Sequence, residues 1–219
     1  MGTSTRIFID FWNFALNWND RAGGARCDWQ KVPTVLLDQA HDLLSQVGLT
    51  EPLDLEETLV HASVKSGASE AGLRNWLRSF LDKQPSFRVK IRERHTLTKG
   101  IWCNNCKQET KECPSCGTIF QRSPEKGVDA AIVTDLLTLA WEDAFDVAVV
   151  LSSDADLIPA VERVQEKGLK VINATWAGHG FDLAKACWGS FPLDTVIGLL
   201  TRAGGSGASV GATGPSAQT

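Results

Sequence analysis

The stretch Asp146-Val147-Ala148-Val149-Val150-Leu151-Ser152-Ser153-Asp154-Ala155-Asp156-Leu157-Ile158-Pro159 decides the fold. Its unbroken apolar run reads as a strand buried on both faces, the signature of a parallel sheet rather than of a half-exposed one. The strand ends in Ser-Ser-Asp, and a helix over 155–167 follows. Asp154 and Asp156 therefore stand where a strand turns into a helix. One or both could simply cap that helix.

Working outward, 169–174 is a second apolar strand. Upstream, Arg6-Ile7-Phe8-Ile9-Asp10 is a short buried strand that also ends in an acid, with Asn13 close behind. Residues 11–20 are aromatic-rich and then polar, with no obvious helix, so capping does not account for Asp10. Helical spacing marks 31–47, with Pro33 in the first turn and Gly48 after the last. It also marks 69–82, 128–144 and 182–188. Residues 59–64 read as a strand, and 193–200 as either helix or strand. Strands alternating with helices predict a three-layer α/β/α fold with a central, mainly parallel sheet. In such folds the ligand site lies beyond the carboxyl ends of the strands, where Asp10, Asp154 and Asp156 sit. Asp129 opens the 128–144 helix, and Asp135 lies nearly two turns further on.

Several carboxylates converging at one sheet edge repel each other and stay ionised together only around a cation. Carboxylate and water ligands suit Mg²⁺ or Mn²⁺. Such an ion can polarise a phosphodiester and activate water. The four histidines, His41, His61, His95 and His179, stand in no motif and read as surface or core residues. There is no phosphate-binding Gly-rich loop, no GxGxxG and no Ser-centred elbow, which disfavours nucleoside-triphosphate and nicotinamide chemistry.

The chain has 219 residues, 43% hydrophobic and 22% charged, and a net charge of -4. These values exclude wholesale disorder and fibrous classes. No apolar run approaches the roughly 20 residues that span a bilayer, and no secretory h-region opens the chain; a cytoplasmic location is expected. The mild net charge hides an asymmetry. Residues 74–126 carry twelve Lys and Arg against five Asp and Glu, while the remainder carries ten against twenty-one. Within that block 87–94 alternates, with Phe87, Val89 and Ile91 on one side and Arg88, Lys90, Arg92 and Arg94 on the other. It predicts a strand with a basic face, a candidate phosphate-contact surface, although charge runs are also commonly just solvated.

Four of the six cysteines lie within fourteen residues, in Cys103-Asn104-Asn105-Cys106 and Cys113-Pro114-Ser115-Cys116. Two CxxC knuckles this close point to a four-thiolate structural Zn²⁺ site with no open coordination position. Redox dithiols or iron–sulfur ligation are the alternatives. Cys27 and Cys187 read as unpaired thiols. Lys99, Lys107, Lys111, Arg122, Lys126 and an exposed Trp102 around the knuckles make a plausible clamp for single-stranded nucleic acid; the ribbon could equally just stabilise a long hairpin. Among the eight tryptophans, Trp76, Trp141 and Trp188 fall on apolar helical faces and are expected in the core. Trp12 and Trp18, just past Asp10, are the better stacking candidates.

Three blocks together resemble the NYN branch of the PIN-like nuclease superfamily: Phe8-Ile9-Asp10-Phe11-Trp12-Asn13; Glu125-Lys126-Gly127-Val128-Asp129 with Thr134-Asp135-Leu136-Leu137; and Val149 through Pro159. Ser153 stands where the family often has Gly. The resemblance implies a metal-dependent nuclease whose acidic cluster falls on Asp10, Asp129, Asp154 and Asp156, holding Mg²⁺ or Mn²⁺, with Asn13 and Asp135 in support. It implies nucleic acid, single-stranded RNA first, as the partner; related folds often pair, so a homodimer is the assembly to test. The expected organisation is a nuclease-like domain over 6–202, a zinc ribbon inserted at 100–120, and a disordered Gly/Ser-rich tail at 203–219. A non-catalytic nucleic-acid-binding module on the same fold is the competing reading. A small-ester phosphatase is a third, against which the extended basic strand argues.

Overall fold

Period-two alternation in the strands sorts the apolar residues into two cores, one on each face of a single sheet. In the computed structural model, which describes residues 2–95, 97–98, 100–122 and 127–203, the elements run β1 (Thr3–Asp10), α1 (Phe11–Arg21), α2 (Val32–Ser45), β2 (Leu53–Lys65), α3 (Ala71–Ser79) and β3 (Phe87–Arg94). Four two-residue strands follow: β4 (Leu97–Thr98), β5 (Ile101–Trp102), β6 (Glu109–Thr110) and β7 (Gln121–Arg122). Then come α4 (Val128–Trp141), β8 (Val147–Leu151), α5 (Ile158–Glu166), β9 (Lys170–Thr175), α6 (Phe181–Ala186), β10 (Gly189–Pro192) and α7 (Ile197–Leu200). Three 3-10 turns, Leu81–Lys83, Ala155–Leu157 and Leu193–Val196, link them.

The six long strands form one sheet in the order β10-β9-β8-β1-β2-β3, and every neighbouring pair is parallel. Ile7 and Ile9 point into a core with Val60, Ala62, Val149 and Ile172, covered by α1, α2 and α3. Phe8 points the other way, with Leu59, Ala148, Val150 and Val171, beneath α4 and α5. Phe8 is fully buried and meets Phe145 edge to face at 5.9 Å. No helix among the described residues is long and apolar enough to cross a membrane.

The structure differs from the sequence reading in a few elements. A helix does follow Asp10. Phe11, Phe14 and Trp18 line its buried side, and Trp12, buried as well, blurs the period. Asp10 is its N-cap, the carboxylate accepting from Asn13 N at 3.1 Å. The 193–200 segment resolves into a 3-10 turn and α7. Strand β10 escapes a pattern search because it carries Gly189 and Pro192, tolerable on an edge strand.

The insertion leaves and re-enters through one antiparallel step, with Leu97 opposite Arg122 and Thr98 opposite Gln121. Beyond it β5 pairs with β6, and Glu112 bridges Ile119. Nearly every residue from 101 to 120 is exposed, so the insertion projects from the body. Lys99, Glu125, Lys126 and the expected tail from 204 lie outside the described residues.

Candidate active site at the switch point of the sheet

From β1 the chain steps outward to β2 and β3, then crosses back to β8 on the other side of β1 and continues to β9 and β10. The direction of winding reverses between β1 and β8. Loops leaving the carboxyl ends of two such strands diverge and open a crevice. Asp10 is the last residue of β1, and Ser152 follows the last residue of β8.

Ser152 ties the two strand ends together. Its Oγ donates to Asp10 Oδ2 at 3.5 Å and accepts from Asp154 N at 3.2 Å. Asp154 Oδ1 in turn accepts from Asp156 N at 2.9 Å, capping the 3-10 turn. Asn13 Oδ1 is buried and, among the described residues, has no hydrogen-bond partner. Asp129 lies in the first turn of α4, a helix that packs against β1, β2 and the turn after β8. Asp156 is exposed. The carboxyl edge thus gathers Asp10, Asn13 and Asp154 in one bonded set and brings the helix carrying Asp129 against it. Among the described residues no three His, Cys, Asp or Glu side chains stand close enough to hold a metal ion.

Asp135 is engaged elsewhere on α4. Lys90 Nζ donates to its Oδ1 at 2.8 Å and lies 2.7 Å from its Oδ2. His61 Nε2 lies 3.3 Å from the same Oδ2. His61 is the register partner of Asp10 across β1 and β2 and is 1% exposed. Burial pushes its imidazole down to about 4 from 6.5; the Asp135 carboxylate opposes this, while Lys90 and Arg92 add to it. His61 is therefore neutral at pH 7. Sequence reasoning passed over it, because nothing local marks a lone histidine in a strand.

Asn173 was missed as well. Fully buried in β9, it donates from Nδ2 to the carbonyls of Val150 and Ser152, each at 2.9 Å, and so fixes the turn that presents Ser152. The one available signal was an amide inside an apolar strand near its carboxyl end. Gly180, at φ +64°, closes the same edge. A Cβ there would fall 2.7 Å from Ser153 Cα, so only glycine lets the loop after β9 rest on the acidic turn.

The basic strand is less uniform than its alternation implied. Arg92 is exposed, and its stem lies where a side chain at Gly127, the N-cap of α4, would meet it: a Cβ there would fall 3.5 Å from Arg92 Cδ. Together with Lys90, Thr134 and Asp135 it lines a groove of about 650 Å³ between β3 and α4. Arg88 is exposed but paired with Glu57 at 2.7 Å. Arg94 does not belong to the outer face. It is 2% exposed, bonded to both Glu70 carboxylate oxygens at 3.1 Å, and lies 5.2 Å over the Trp12 ring. Carboxylate and ring reach it from distant parts of the chain, and together they hold a guanidinium that alternation assigned to solvent.

Trp76 packs against the core as expected, half-buried, but the other tryptophan expectations invert. Trp12 and Trp18 are buried, donating to the carbonyls of Ser63 and Ala25. Trp141 and Trp188 are 47% and 40% exposed. Residues 136–141 are nearly all apolar, so periodicity could not phase the end of α4. Trp141 falls past the sheet, under Arg163 and Lys167.

On the insertion Trp102, Lys107 and Lys111 are exposed, as expected. Each CxxC closes a turn in which a backbone N–H donates to the carbonyl of the first cysteine: Lys107 to Cys103 at 2.9 Å and Gly117 to Cys113 at 2.8 Å. The Cys103 thiol is held below its usual range by hydrogen bonds from Cys106 and Asn105 N–H. Cys116 is held low chiefly by Thr118. N–H groups aimed at sulfur favour the thiolates that Zn²⁺ binds, so the donor chemistry of the two turns fits that metal. Cys27 and Cys187 are free, and burial pushes both thiols up, Cys187 to about 12, which leaves them protonated and inert.

A parallel α/β/α sheet with acids at its switch point is the architecture of a PIN-like protein. The NYN domain family matches residues 69–193, more than half of the chain, and the protein belongs to that family. Membership makes this a nuclease-like domain. The match covers Asp129, Asp135, Asp154, Asp156 and all four clustered cysteines but begins after Asp10, whose place rests on geometry. The uncharacterized protein y4oD of Sinorhizobium fredii is 42% identical over 55 residues, 25% of this chain and 26% of that one. The matched segment thus spans about a quarter of that relative. The crystal structure of VPA0982 from Vibrio parahaemolyticus, a protein of unknown function, superposes with a TM-score of 0.53 at 14% identity. It covers 88% of this chain and 93% of that one, a likeness of fold alone.

Proposed function

We propose that this protein is a divalent-metal-dependent endonuclease acting on single-stranded RNA. The observation that carries the reading is the Ser152 bridge, which joins acids from two separate sequence blocks at the one place where the sheet's winding reverses. Asp10, Asp129, Asp154 and Asp156 would hold Mg²⁺ or Mn²⁺. The buried, unpartnered amide oxygen of Asn13 beside Asp10 fits a hydrated cation, because a bound water would satisfy it. Cap bonds do not exclude the acids from this role, since a carboxylate offers about four lone-pair sites. When bound, the ion neutralises phosphodiester charge and lowers the pKa of a bound water.

The chain's own residues do the rest. Ser152 and Asn173 hold Asp10 and the Asp154 turn in place, and Asp135 orients Lys90. Lys90 and Arg92 take phosphates along the β3–α4 groove, with Arg88, Lys99, Arg122 and Lys126 extending the basic surface. The 100–120 insertion, closed by Zn²⁺ on Cys103, Cys106, Cys113 and Cys116, clamps the strand through Lys107, Lys111 and Trp102 within a 6–202 domain. One observation favours the second reading, binding without cleavage: both Asp10 and Asp154 cap local turns.

The test is cleavage of labelled single-stranded RNA and DNA with Mn²⁺, Mg²⁺ or EDTA, beside Asp154→Asn. Metal-dependent RNA cleavage that falls at least about a hundredfold in the variant, a loss of several kcal/mol of charge stabilisation, is expected. Binding without cleavage under every metal selects the second reading.

A further inference from the structure

On the face covered by α1 and α3 lies a cavity of about 740 Å³. Its volume falls within the range of about 300–1,000 Å³ typical of small-molecule sites. Six rings wall it: Phe11, Phe14, Trp18, Trp29, Trp76 and Phe80. Trp29 is central, stacked on Phe11 at 5.7 Å and edge-on to both Phe14 and Trp76. Trp76 stacks on Phe80 at 5.8 Å, and Phe80 is 38% exposed, so the ring wall runs from the core out to solvent.

The opposite lip carries charge. Arg26 and Arg202, more than 170 residues apart in sequence, are set side by side: Arg202 N donates to Arg26 O at 2.9 Å, and Cys27 bridges Thr201. Both line the cavity and both are exposed. Cys27 between them is held protonated by its burial and so adds no anion. Among the described residues Asp28 is the one acid in the lining, and Lys31 stands 3.7 Å from it. Asn19 adds an amide able to donate and accept. Flat walls select a planar ring, arginines in the lining favour a phosphate, and amide and carboxylate groups match a base edge.

We propose that this cavity binds a nucleotide, its base against the Trp29–Trp76–Phe80 wall and its phosphate at Arg26 and Arg202. The proposal does not depend on the acidic cluster, none of whose carboxylates lines the cavity. The same chemistry is offered by a free mononucleotide and by the 5′-phosphorylated end of a strand.

Calorimetric titration in EDTA with AMP, with adenosine and with a 5′-phosphorylated trinucleotide tests the proposal, using the full chain, Phe80→Ala, Arg202→Ala and Asp154→Asn. Both cavity substitutions fall on exposed residues, and circular dichroism checks that they remain folded. AMP is expected to bind, about tenfold more weakly in Phe80→Ala and in Arg202→Ala, unchanged in Asp154→Asn, and about tenfold more tightly than adenosine. Trinucleotide binding alone, with the same response to the variants, supports the proposal with a strand end as the source. No binding of either up to about 10 mM overturns it. So does binding that ignores both cavity variants, binding lost with Asp154→Asn, or adenosine bound as tightly as AMP.

Discussion

His61 should make the folded state sensitive to mild acid. Unfolded, its imidazole titrates near 6.5; folded, it is pushed down to about 4. Between those values the unfolded chain binds a proton that the folded chain refuses, so stability rises with pH there and is lost as pH falls below about 6.5. At pH 5 the linkage amounts to about 2 kcal/mol, approaching about 3 kcal/mol below pH 4. The assay is urea unfolding of the parent and of His61→Leu at pH 7.5, 6 and 5. Other titrating groups contribute to both proteins, so the difference between the two profiles isolates His61. The parent is expected to lose about 2 kcal/mol more than the variant between pH 7.5 and pH 5. Parallel profiles down to pH 5 would refute the assignment of a buried neutral imidazole beside Asp10 and Asp135.

Asn173→Ala leaves the Val150 and Ser152 carbonyls without their amide donor. It should cost about 1–3 kcal/mol in urea unfolding and depress any cleavage by displacing the acidic turn; unchanged stability would contradict the pinning role. Cys103→Ser should abolish bound zinc, measured by elemental analysis, while circular dichroism melting of the main domain stays put, because the insertion projects from it. Arg92→Ala should weaken single-stranded RNA binding across all sequences and flatten the salt dependence by about 0.7 in the logarithmic slope, measured by fluorescence anisotropy. An unchanged slope would remove Arg92 from the phosphate path.

The sheet was legible because burial on both faces leaves long apolar runs, as in 147–151, and its acidic edge because two such runs end in acids. What escaped depends on contacts between distant segments. Arg94 sits on the nominally basic side of a well-alternating strand, yet Glu70 and Trp12 hold it inside. Trp12 hides in the core while Trp141, in a helix apolar on nearly every side, reaches solvent. His61 matters only because the parallel register sets it beside Asp10 and α4 brings Asp135 against it. Neither neighbour is visible from its own stretch of strand.

The neck of the insertion has a consequence of its own. Thr98 and Gln121 face each other across an antiparallel pair, so the chain arrives at and departs from the projecting ribbon at one point in space. Everything beyond that point is a detachable cassette. A two-residue hairpin turn spans an antiparallel pair of this kind, and substituting one would remove the four clustered cysteines, Trp102 and three lysines without altering the register of any strand in the six-stranded sheet. The fold is therefore open to exchange here. On the proposed function, grip on a nucleic-acid strand would be gained or lost at this junction while the acidic edge and the sheet that carries it stay as they are.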